Sequence, residues 1–244
     1  MNLLAFDTST EILSVAVSRA DVGGAAGAQL WQYSGTGGAR ASTELIPTVL
    51  SLMQQAGLAI NALDAICFGC GPGSFTGLRT ACAVAQGLAF GANVQVLPVD
   101  SLLSVAEEAR FTAMADVAQT EVVALLDARM DEMYMARFAW GHGRWTTVSG
   151  DVLVRPENFA AQNAAAVTLA GNVFVVYEQR MADVMQRLQC VTALPTATAM
   201  LRLAPQLLAA GKAVPADQAL PSYIRDKVAK TTAERMAEKA AATT

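Results

Sequence analysis

GCGPGSFTGLRTACAVAQGLAFG, residues 69–91, is the stretch from which the fold of this chain can be worked out. A short apolar run at 64–68 precedes it and predicts a buried strand, which the glycines and the proline are expected to end. Ser74 or Thr76 is expected to cap a helix that runs to about Phe90 and stops at Gly91. A strand, a glycine-rich turn and a helix in this order are typical of an α/β protein.

The predicted helix is apolar on nearly every side, because Thr80 and Gln86 are its only clearly polar residues after Arg79. Such a helix has to be covered on every side, and at about fifteen residues it is too short to span a bilayer. One side can pack on its own sheet, and the other needs more of this chain or another protein. Two interpretations stay open: an ordinary core helix, or a core helix that also forms a subunit interface.

A second helix with a wide apolar stripe is predicted upstream, capped by Ser42 or Thr43, running to Gln55 and closed by Gly57. We predict that the two helices together form a partner interface, although a helix half sunk into its own sheet fits the pattern equally well. The change Val49→Asp or Ala85→Arg is then expected to prevent assembly and to leave the monomer folded. The residues that we place in the interface are Leu45, Ile46, Val49, Leu50, Met53, Leu78, Cys82, Ala85 and Ala89.

The first half of the chain begins with three predicted strands, at 3–6, 13–17 and 29–33, which form an antiparallel meander. Downstream of the glycine-rich helix, a strand at 94–99 and a helix from Ser101 to about Arg110 follow. A meander that continues into β-α-β crossovers is the layout of one actin-like (ribonuclease H-like) half.

The second half is predicted to begin near residues 110–120 and to be a reduced copy of the same plan. We divide the chain into an N-terminal lobe (1–110), a smaller C-terminal lobe (111–220) and a tail (221–244) expected to be a surface helix with a frayed end. The predicted elements of the second half are strands at 121–127, 133–140, 145–154 and 166–170, a short helix from Pro156, and a helix over 196–210 that Pro205 kinks or splits.

The composition limits which cellular compartment and which kinds of partner are expected. The 244 residues carry a net charge of −4, and proteins that bind nucleic acid by themselves usually have a basic face. We therefore expect a partner to hold most of any nucleic acid. Four cysteines show no disulfide pattern, and neither a signal peptide nor a membrane-length apolar run is found, so a cytoplasmic protein without a membrane role is predicted.

A single histidine restricts the chemistry further. His142 lies between two glycines, which predicts a hairpin turn. Sites built from two histidines are excluded, and H-x-x-x-H and H-E-x-x-H are absent from the sequence. No metal site is predicted, and a metalloprotease is disfavoured.

The loop at 71–79 could bind an anion, because free N–H groups at a helix N-terminus attract negative charge. The candidate residues are Gly71, Gly73, Ser74, Thr76, Gly77 and Arg79. The loop is not a P-loop, because no Gly-Lys-Ser/Thr follows. A turn that needs its glycines only for geometry is the alternative.

Three further groups of polar or reactive side chains are candidates for a chemical role. Asp7 to Thr10 ends the first strand, and the absence of glycine there favours an Asx or Ser/Thr turn over a phosphate hairpin. Cys67 and Cys70 lie three apart on a strand and are expected to point to opposite faces. Asp127 to Glu132 form a charged turn, either a carboxylate site or a solvated hairpin tip.

Taken together, these motifs resemble the TsaB (YeaZ-type) family, which is related to the glycoprotease-like TsaD proteins. The resemblance covers nearly the whole chain, and its most specific part is Gly-Pro-Gly-Ser-Phe-Thr-Gly. The motifs are DTST at 7–10, GPGSFTGLR at 71–79, AQGLA at 85–89, DARMDEMY at 127–134 and P-x-Y-x-R at 221–225.

The resemblance implies an actin-like (ASKHA) two-lobed fold with a reduced C-terminal lobe. It also implies a noncatalytic scaffold for the transfer of threonylcarbamoyl to the adenosine beside the tRNA anticodon. The implied partners are a TsaD-type catalytic subunit, a TsaE-type ATPase, a second copy when the chain is alone, and tRNA through the complex. No cofactor is firmly predicted, and ATP or ADP is implied only through the complex. The family's dimer surface uses the same two helices.

One departure concerns position 41, where relatives often have a histidine and this chain has Ala41. This fits the loss of the TsaD-type metal site. The main alternative is an actin-like ATP-dependent phosphotransferase that uses Asp7 and the loop at 71–77. It needs a second phosphate loop, for which Gly171-Asn172 is a meagre candidate.

Overall fold

The computed structural model describes residues 1–20, 28–159 and 167–225. Its first sheet has the strand order β3-β2-β1-β4-β5, with an antiparallel meander on one side and parallel strands on the other. These strands are short apolar runs whose successive side chains point to opposite faces of the sheet. A separate layer of helices covers each face. The strands are β1 Leu3–Asp7, β2 Ile12–Arg19, β3 Gln29–Thr36, β4 Ala65–Gly71 and β5 Val96–Asp100.

The second sheet repeats this plan in the order β8-β7-β6-β9-β10. Its β6, β7 and β8 form the meander, and β9 and β10 continue it in parallel. The predicted actin-like, two-lobed α/β fold is thereby confirmed. The strands are β6 Thr120–Asp127, β7 Met133–Gly141, β8 Arg144–Val154, β9 Thr168–Gly171 and β10 Cys190–Thr192.

The helices form three layers around the two sheets. Alternate residues of β1 show the arrangement: Leu4 and Phe6 pack with α1 and α2 on the outer face, and Leu3 and Ala5 face a central layer of α3 and α7. A third layer, α4 to α6, covers the outer face of the second sheet. The helices are α1 Ala41–Gln55, α2 Phe75–Ala92, α3 Ser101–Ala113, α4 Pro156–Phe159, α5 Val173–Val176, α6 Glu178–Arg187 and α7 Ala197–Ala209.

The central layer joins the two halves of the chain. Helix α7 comes late in the sequence and packs on β1, β2 and β4, whereas α3 from the first half packs on β6, β7 and β9. A backbone N–H of α7, at Ala197, also donates to Ser14 Oγ in β2 at 2.9 Å. The apolar cluster in this layer takes side chains from both sheets. The division at residue 110 stays a prediction, and α3 continues past it to Ala113.

Three predicted helix ends are wrong by a few residues. Helix α1 begins after Arg40 without a side-chain cap, because Thr43 Oγ1 instead donates to the Arg40 carbonyl at 2.9 Å. Asp100 caps α3 in place of Ser101. Helix α2 passes through Gly91 and ends at Ala92, and the following Asn93, with a φ of 56°, provides the left-handed stop. Ser74 caps α2 as predicted.

Other local features were missed or misjudged. Helices α5 and α6 and strand β10 were not predicted, and α7 continues through Pro205 without being split. Residues 221–225 are not helical, and the rest of the predicted tail helix lies outside the described residues. None of the helices within 1–20, 28–159 and 167–225 is long and apolar enough to cross a membrane.

Candidate functional site

A cleft of about 370 Å³ lies between the lobes, at the carboxyl ends of β1, β4 and β6. Four segments line it: 9–11 after β1, 72–78 after β4, 126–130 around the end of β6, and 222–225. These are four of the five motifs on which the sequence resemblance rests. The fold therefore brings motifs that are far apart in sequence to one place.

Asp7 ends β1, two residues before the cleft segment 9–11, and is completely buried. Its Oδ1 accepts hydrogen bonds from the Ser9 backbone N–H at 2.8 Å and from Ser9 Oγ at 2.7 Å, which confirms the predicted Asx turn. Its Oδ2 has no hydrogen-bond partner among the described residues. Burial raises the pKa of Asp7 to about 6, and the two bonds from Ser9 lower it in part.

The glycine-rich loop packs directly on this turn. A Cβ at Gly77 would lie 1.8 Å from the Thr8 carbonyl oxygen, and a Cβ at Gly73 would lie 2.6 Å from Ser9. The Ser74 N–H donates to the Ser9 carbonyl at 2.7 Å, and Thr8 Oγ1 donates to the Gly77 carbonyl at 2.7 Å. The chain's own turn thus occupies the space that a phosphate would need against these glycines.

Three of the remaining candidate anion ligands, Gly71, Ser74 and Arg79, contact other parts of the chain. Ser74 Oγ accepts from the Gly77 N–H at 3.4 Å. Gly71 has a φ of 125° and faces the Ser222 carbonyl, 2.5 Å from where its Cβ would be. Arg79 donates to the Tyr223 hydroxyl at 3.0 Å and stacks 3.9 Å from the Phe75 ring centroid. This geometry favours the interpretation that the glycines serve packing.

The charged turn after β6 has unusual backbone geometry. Arg129, Met130 and Asp131 have φ values of 60°, 56° and 59°, and left-handed conformation costs a residue other than glycine about 1–2 kcal/mol. The turn is closed by hydrogen bonds between Ala128 and Glu132 at 2.9 Å and between Glu132 and Arg129 at 3.2 Å. Surrounding contacts must therefore hold it in place.

Residues 219–225, which we call the strap, supply much of that support. The strap starts beside α2, where the Ala219 carbonyl accepts from Gln86 at 2.8 Å, and the Ser222 N–H donates to the Cys70 carbonyl at 2.7 Å. It ends at Arg225, which pairs with Glu132 at 2.6 Å and donates to the carbonyl of Ala128 at 3.0 Å. The strap therefore connects α2 to the turn of the second lobe.

A second link across the cleft is the ion pair between Arg129 and Glu11, at 2.6 Å, with both side chains largely exposed. Asp127 is held from two sides, because its backbone N–H donates to Asn172 Oδ1 and its Oδ1 accepts from Tyr177 at 2.9 Å. The phosphotransferase alternative needs the loop at Gly171-Asn172 to bind phosphate. In the structure, the Asn172 side chain of that loop instead accepts a hydrogen bond from the backbone of Asp127.

We expect Arg225→Ala to lower the free energy of unfolding by about 2 kcal/mol, because it removes charge-assisted hydrogen bonds that hold a strained turn. Amide exchange at 128–132 is expected to accelerate more than elsewhere. Arg225→Lys is the matched control, and it should recover part of the loss, because a point charge can keep the Glu132 pair but not the fork to the carbonyls. Unchanged exchange at 128–132 would contradict the role given to the strap.

Two acidic residues that the sequence analysis did not single out face each other at the lobe boundary. Asp100 Oδ1 caps α3 by accepting from the Leu103 N–H at 2.8 Å. Burial, followed by the nearby charge of Asp151, raises the pKa of Asp100 to about 7, and the pKa of Asp151 is raised as well. Nothing in the local sequence around either residue indicates that the fold brings them together.

The two cysteines of β4 behave as predicted for a strand. Cys67 packs in the central cluster and Cys70 against the outer one, so they point to opposite faces. Burial raises the pKa of both thiols to about 12, which keeps them protonated. His142 lies at the β7–β8 turn with a φ of 53°. No cluster of three or more His, Cys, Asp or Glu side chains suited to a metal occurs in the described part of the chain.

The predicted interface residues are mostly inside the monomer. Seven of the nine are buried in the chain's own core: Leu45, Val49, Met53, Leu78, Cys82, Ala85 and Ala89. Ile46 and Leu50 are 45% and 50% exposed and lie one turn apart on α1. Both Val49 and Ala85 are fully buried, so we now expect Val49→Asp or Ala85→Arg to destabilise the monomer itself.

One exposed side chain of this region was missed. Phe90 on α2 is 84% exposed, a large apolar group in open solvent. It follows Ala83 and Gly87, which are also exposed, at helical spacing. Spacing alone could have grouped these three residues, but the sequence does not show which side of an all-apolar helix its own sheet covers.

Comparison with known proteins agrees with this architecture. The family model described as TsaD, tRNA N6-adenosine threonylcarbamoyltransferase, matches residues 38–241. The tRNA threonylcarbamoyladenosine biosynthesis protein TsaB of Haemophilus influenzae is 32% identical over 93% of this chain and 95% of its own length. That of Escherichia coli is also 32% identical, over 94% and 96%. The structure of YeaZ from Pseudomonas aeruginosa superposes with a TM-score of 0.77 at 37% identity, covering 91% of this chain and 99% of that one.

The two lobes have the same strand order, and the TsaD family model matches residues 38–241, so the chain belongs to the class that also contains the TsaD-type proteins. Within that class, the chain belongs to the TsaB (YeaZ) family.

Proposed function

We propose that this chain takes part in tRNA threonylcarbamoyladenosine biosynthesis as a noncatalytic scaffold that binds and activates a TsaD-type subunit. Relatives that span nearly its whole length carry this biosynthetic role in their names. The observation that carries the scaffold role is the exposure of three large apolar side chains, Ile46, Leu50 and Phe90, on the neighbouring helices α1 and α2. The packing of the glycine-rich loop adds support, because Gly73 and Gly77 lie directly against the turn at Thr8 and Ser9.

The apolar surface has the composition of an interface centre. Helices α1 and α2 lie next to each other on the outer face of the first sheet, and both turn apolar side chains to solvent. Ile46 and Leu50 supply aliphatic area, and Phe90 supplies an aromatic anchor. Exposed Ala83 and Gly87 allow a partner helix to approach closely. Exposed large apolar side chains grouped in this way are typical of partner sites.

The same surface gives the proposed assembly its order. Alone, two copies bind each other through it, and the TsaD-type subunit replaces one copy in the complex. A TsaE-type ATPase joins that pair, nucleotide binds only in the complex, and tRNA is held mainly by the partners. The net charge of −4 supports this last point.

We expect Leu50→Asp to weaken binding to the TsaD-type subunit about 30-fold, because it places a charge in the apolar centre of the interface. Its thermal stability should stay close to that of the wild type, since Leu50 is half exposed. Val49→Asp, one residue away, should unfold the monomer. Calorimetric titration with the TsaD-type protein, together with melting curves, would measure both effects.

Gln186→Asp, an exposed change on α6 of the other lobe, is the control and should leave binding unchanged. Equal affinity of Leu50→Asp and the wild type would reject the α1–α2 surface. Threonylcarbamoyl transfer to tRNA by the chain alone would reject the noncatalytic role.

A further inference from the structure

Three of the four sheet edges in the described residues are protected against pairing with another chain. Strand β5 contains Pro98, and its Val96 exchanges hydrogen bonds of 2.9 and 2.8 Å with Val214. Strand β10 is only three residues long. Strand β8 carries Arg144 and Asp151 and has two register shifts against β7. Proline, short length, charge and bulges are the usual means by which proteins block edge pairing.

The fourth edge, β3, has none of these features. Its eight residues, QLWQYSGT, contain no charge and no proline, and they pair with β2 in one continuous register. Every second residue of such an edge turns its N–H and C=O away from the sheet. Leu30 and Tyr33 are 52% and 37% exposed. Within the described residues, β3 is thus an open template for another strand.

We propose that β3 pairs antiparallel with β3 of a second copy, around a two-fold axis perpendicular to the sheet. Such pairing keeps each side chain on its own face, so residues of equal parity must lie opposite each other. A register centred on Gln32 meets this condition and places Trp31 opposite Tyr33 of the partner subunit, twice by symmetry.

The sequence of β3 suits pairing with itself. Aromatic side chains flank Gln32 on both sides, and cross-strand aromatic pairs stabilise antiparallel sheets. Trp31 and Tyr33 lie on the face that α1 covers, since their β2 neighbours Val17 and Val15 belong to the outer core. No like charges meet, because the strand has none. The two first sheets then form one continuous sheet of ten strands.

This contact is separate from the α1–α2 surface, so it is tested in a Leu50→Asp background in which that surface is disabled. Sedimentation velocity from about 10 µM to about 1 mM should show reversible dimers, as expected of a small interface. Amide exchange at 29–36 should slow as the concentration rises.

Gln32→Glu and Gln32→Lys place like charges opposite each other at the axis and should each weaken the dimer about fivefold. An equimolar mixture of the two should recover the original affinity, which a folding defect could not do. Thr147→Glu and Thr147→Lys, on the exposed edge strand β8, are the controls.

A Leu50→Asp protein that stays monomeric up to about 1 mM, or a mixture of charge variants that fails to recover, would overturn the proposal. Neither result would affect the proposed function, since binding of the TsaD-type subunit is measured separately.

Discussion

Gly77→Ala is expected to lower the free energy of unfolding by about 3 kcal/mol or more, the largest effect of any single methyl group in the glycine-rich loop. The new Cβ would lie 1.8 Å from the Thr8 carbonyl oxygen and 2.9 Å from its carbon. These are backbone atoms, so no rotation of a side chain relieves the contact. The turn after β1 and the start of α2 would have to separate.

The matched control is Gly87→Ala, about three turns further along the same helix. Nothing lies within 4 Å of the Cβ that this change adds. There the methyl group only raises helix propensity and should stabilise the protein by about 0.5–1 kcal/mol. Urea unfolding of the two variants would measure both changes. A Gly77→Ala protein as stable as the wild type would show that the loop is not packed on Thr8 in solution.

Asp7→Asn is expected to make the protein more stable than the wild type at pH 8 by about 3 kcal/mol, and to make little difference near pH 4. The pKa of Asp7 is raised from 3.8 to about 6, so the folded state binds its proton more tightly than the unfolded state. The stability that this gives is complete below pH 4 and is lost as the pH rises through about 6. Asparagine has no charge to bury, so its contribution stays constant.

The measurement is the difference between wild-type and Asp7→Asn unfolding free energies across pH 4 to 8, in which contributions from Asp100 and Asp151 cancel. Ser9→Ala serves as a comparison, because the Ser9 hydroxyl lowers the pKa of Asp7. Without it, the loss of stability should extend to higher pH. A difference that does not change with pH would contradict a buried, proton-binding Asp7.

The meander and the crossovers of the first lobe could be predicted because they depend on local signals. Apolar runs of four to eight residues, separated by turns, identify strands, and a meander followed by crossovers has few possible topologies. The helix cap at Ser74 and the Asx turn at Asp7 could also be predicted, since each depends on only a few neighbouring residues. Helices α5 and α6 escaped because the first is four residues long and the second has few apolar positions.

The helices of the proposed interface could be chosen from the sequence, but the residues that these helices expose could not. Leu45 and Leu50 are chemically the same on α1, and only the sheet beneath the helix makes one buried and the other half exposed. The glycines pose the same difficulty, because a glycine needed against a ligand and one needed against Thr8 are identical in sequence. Contacts between distant segments, such as Asp100 with Asp151, left no local signal.

The exchange of helices between the lobes has a consequence for synthesis on the ribosome. The inner face of the first sheet is covered in part by α7, which ends at Ala209, near the end of the described chain. Until that helix has emerged, apolar residues such as Leu3 and Ala5 have only part of their covering layer. The N-terminal lobe cannot complete its fold first, although its strands are made first. Folding must await most of the chain, and an interrupted polypeptide exposes a sheet face prone to association.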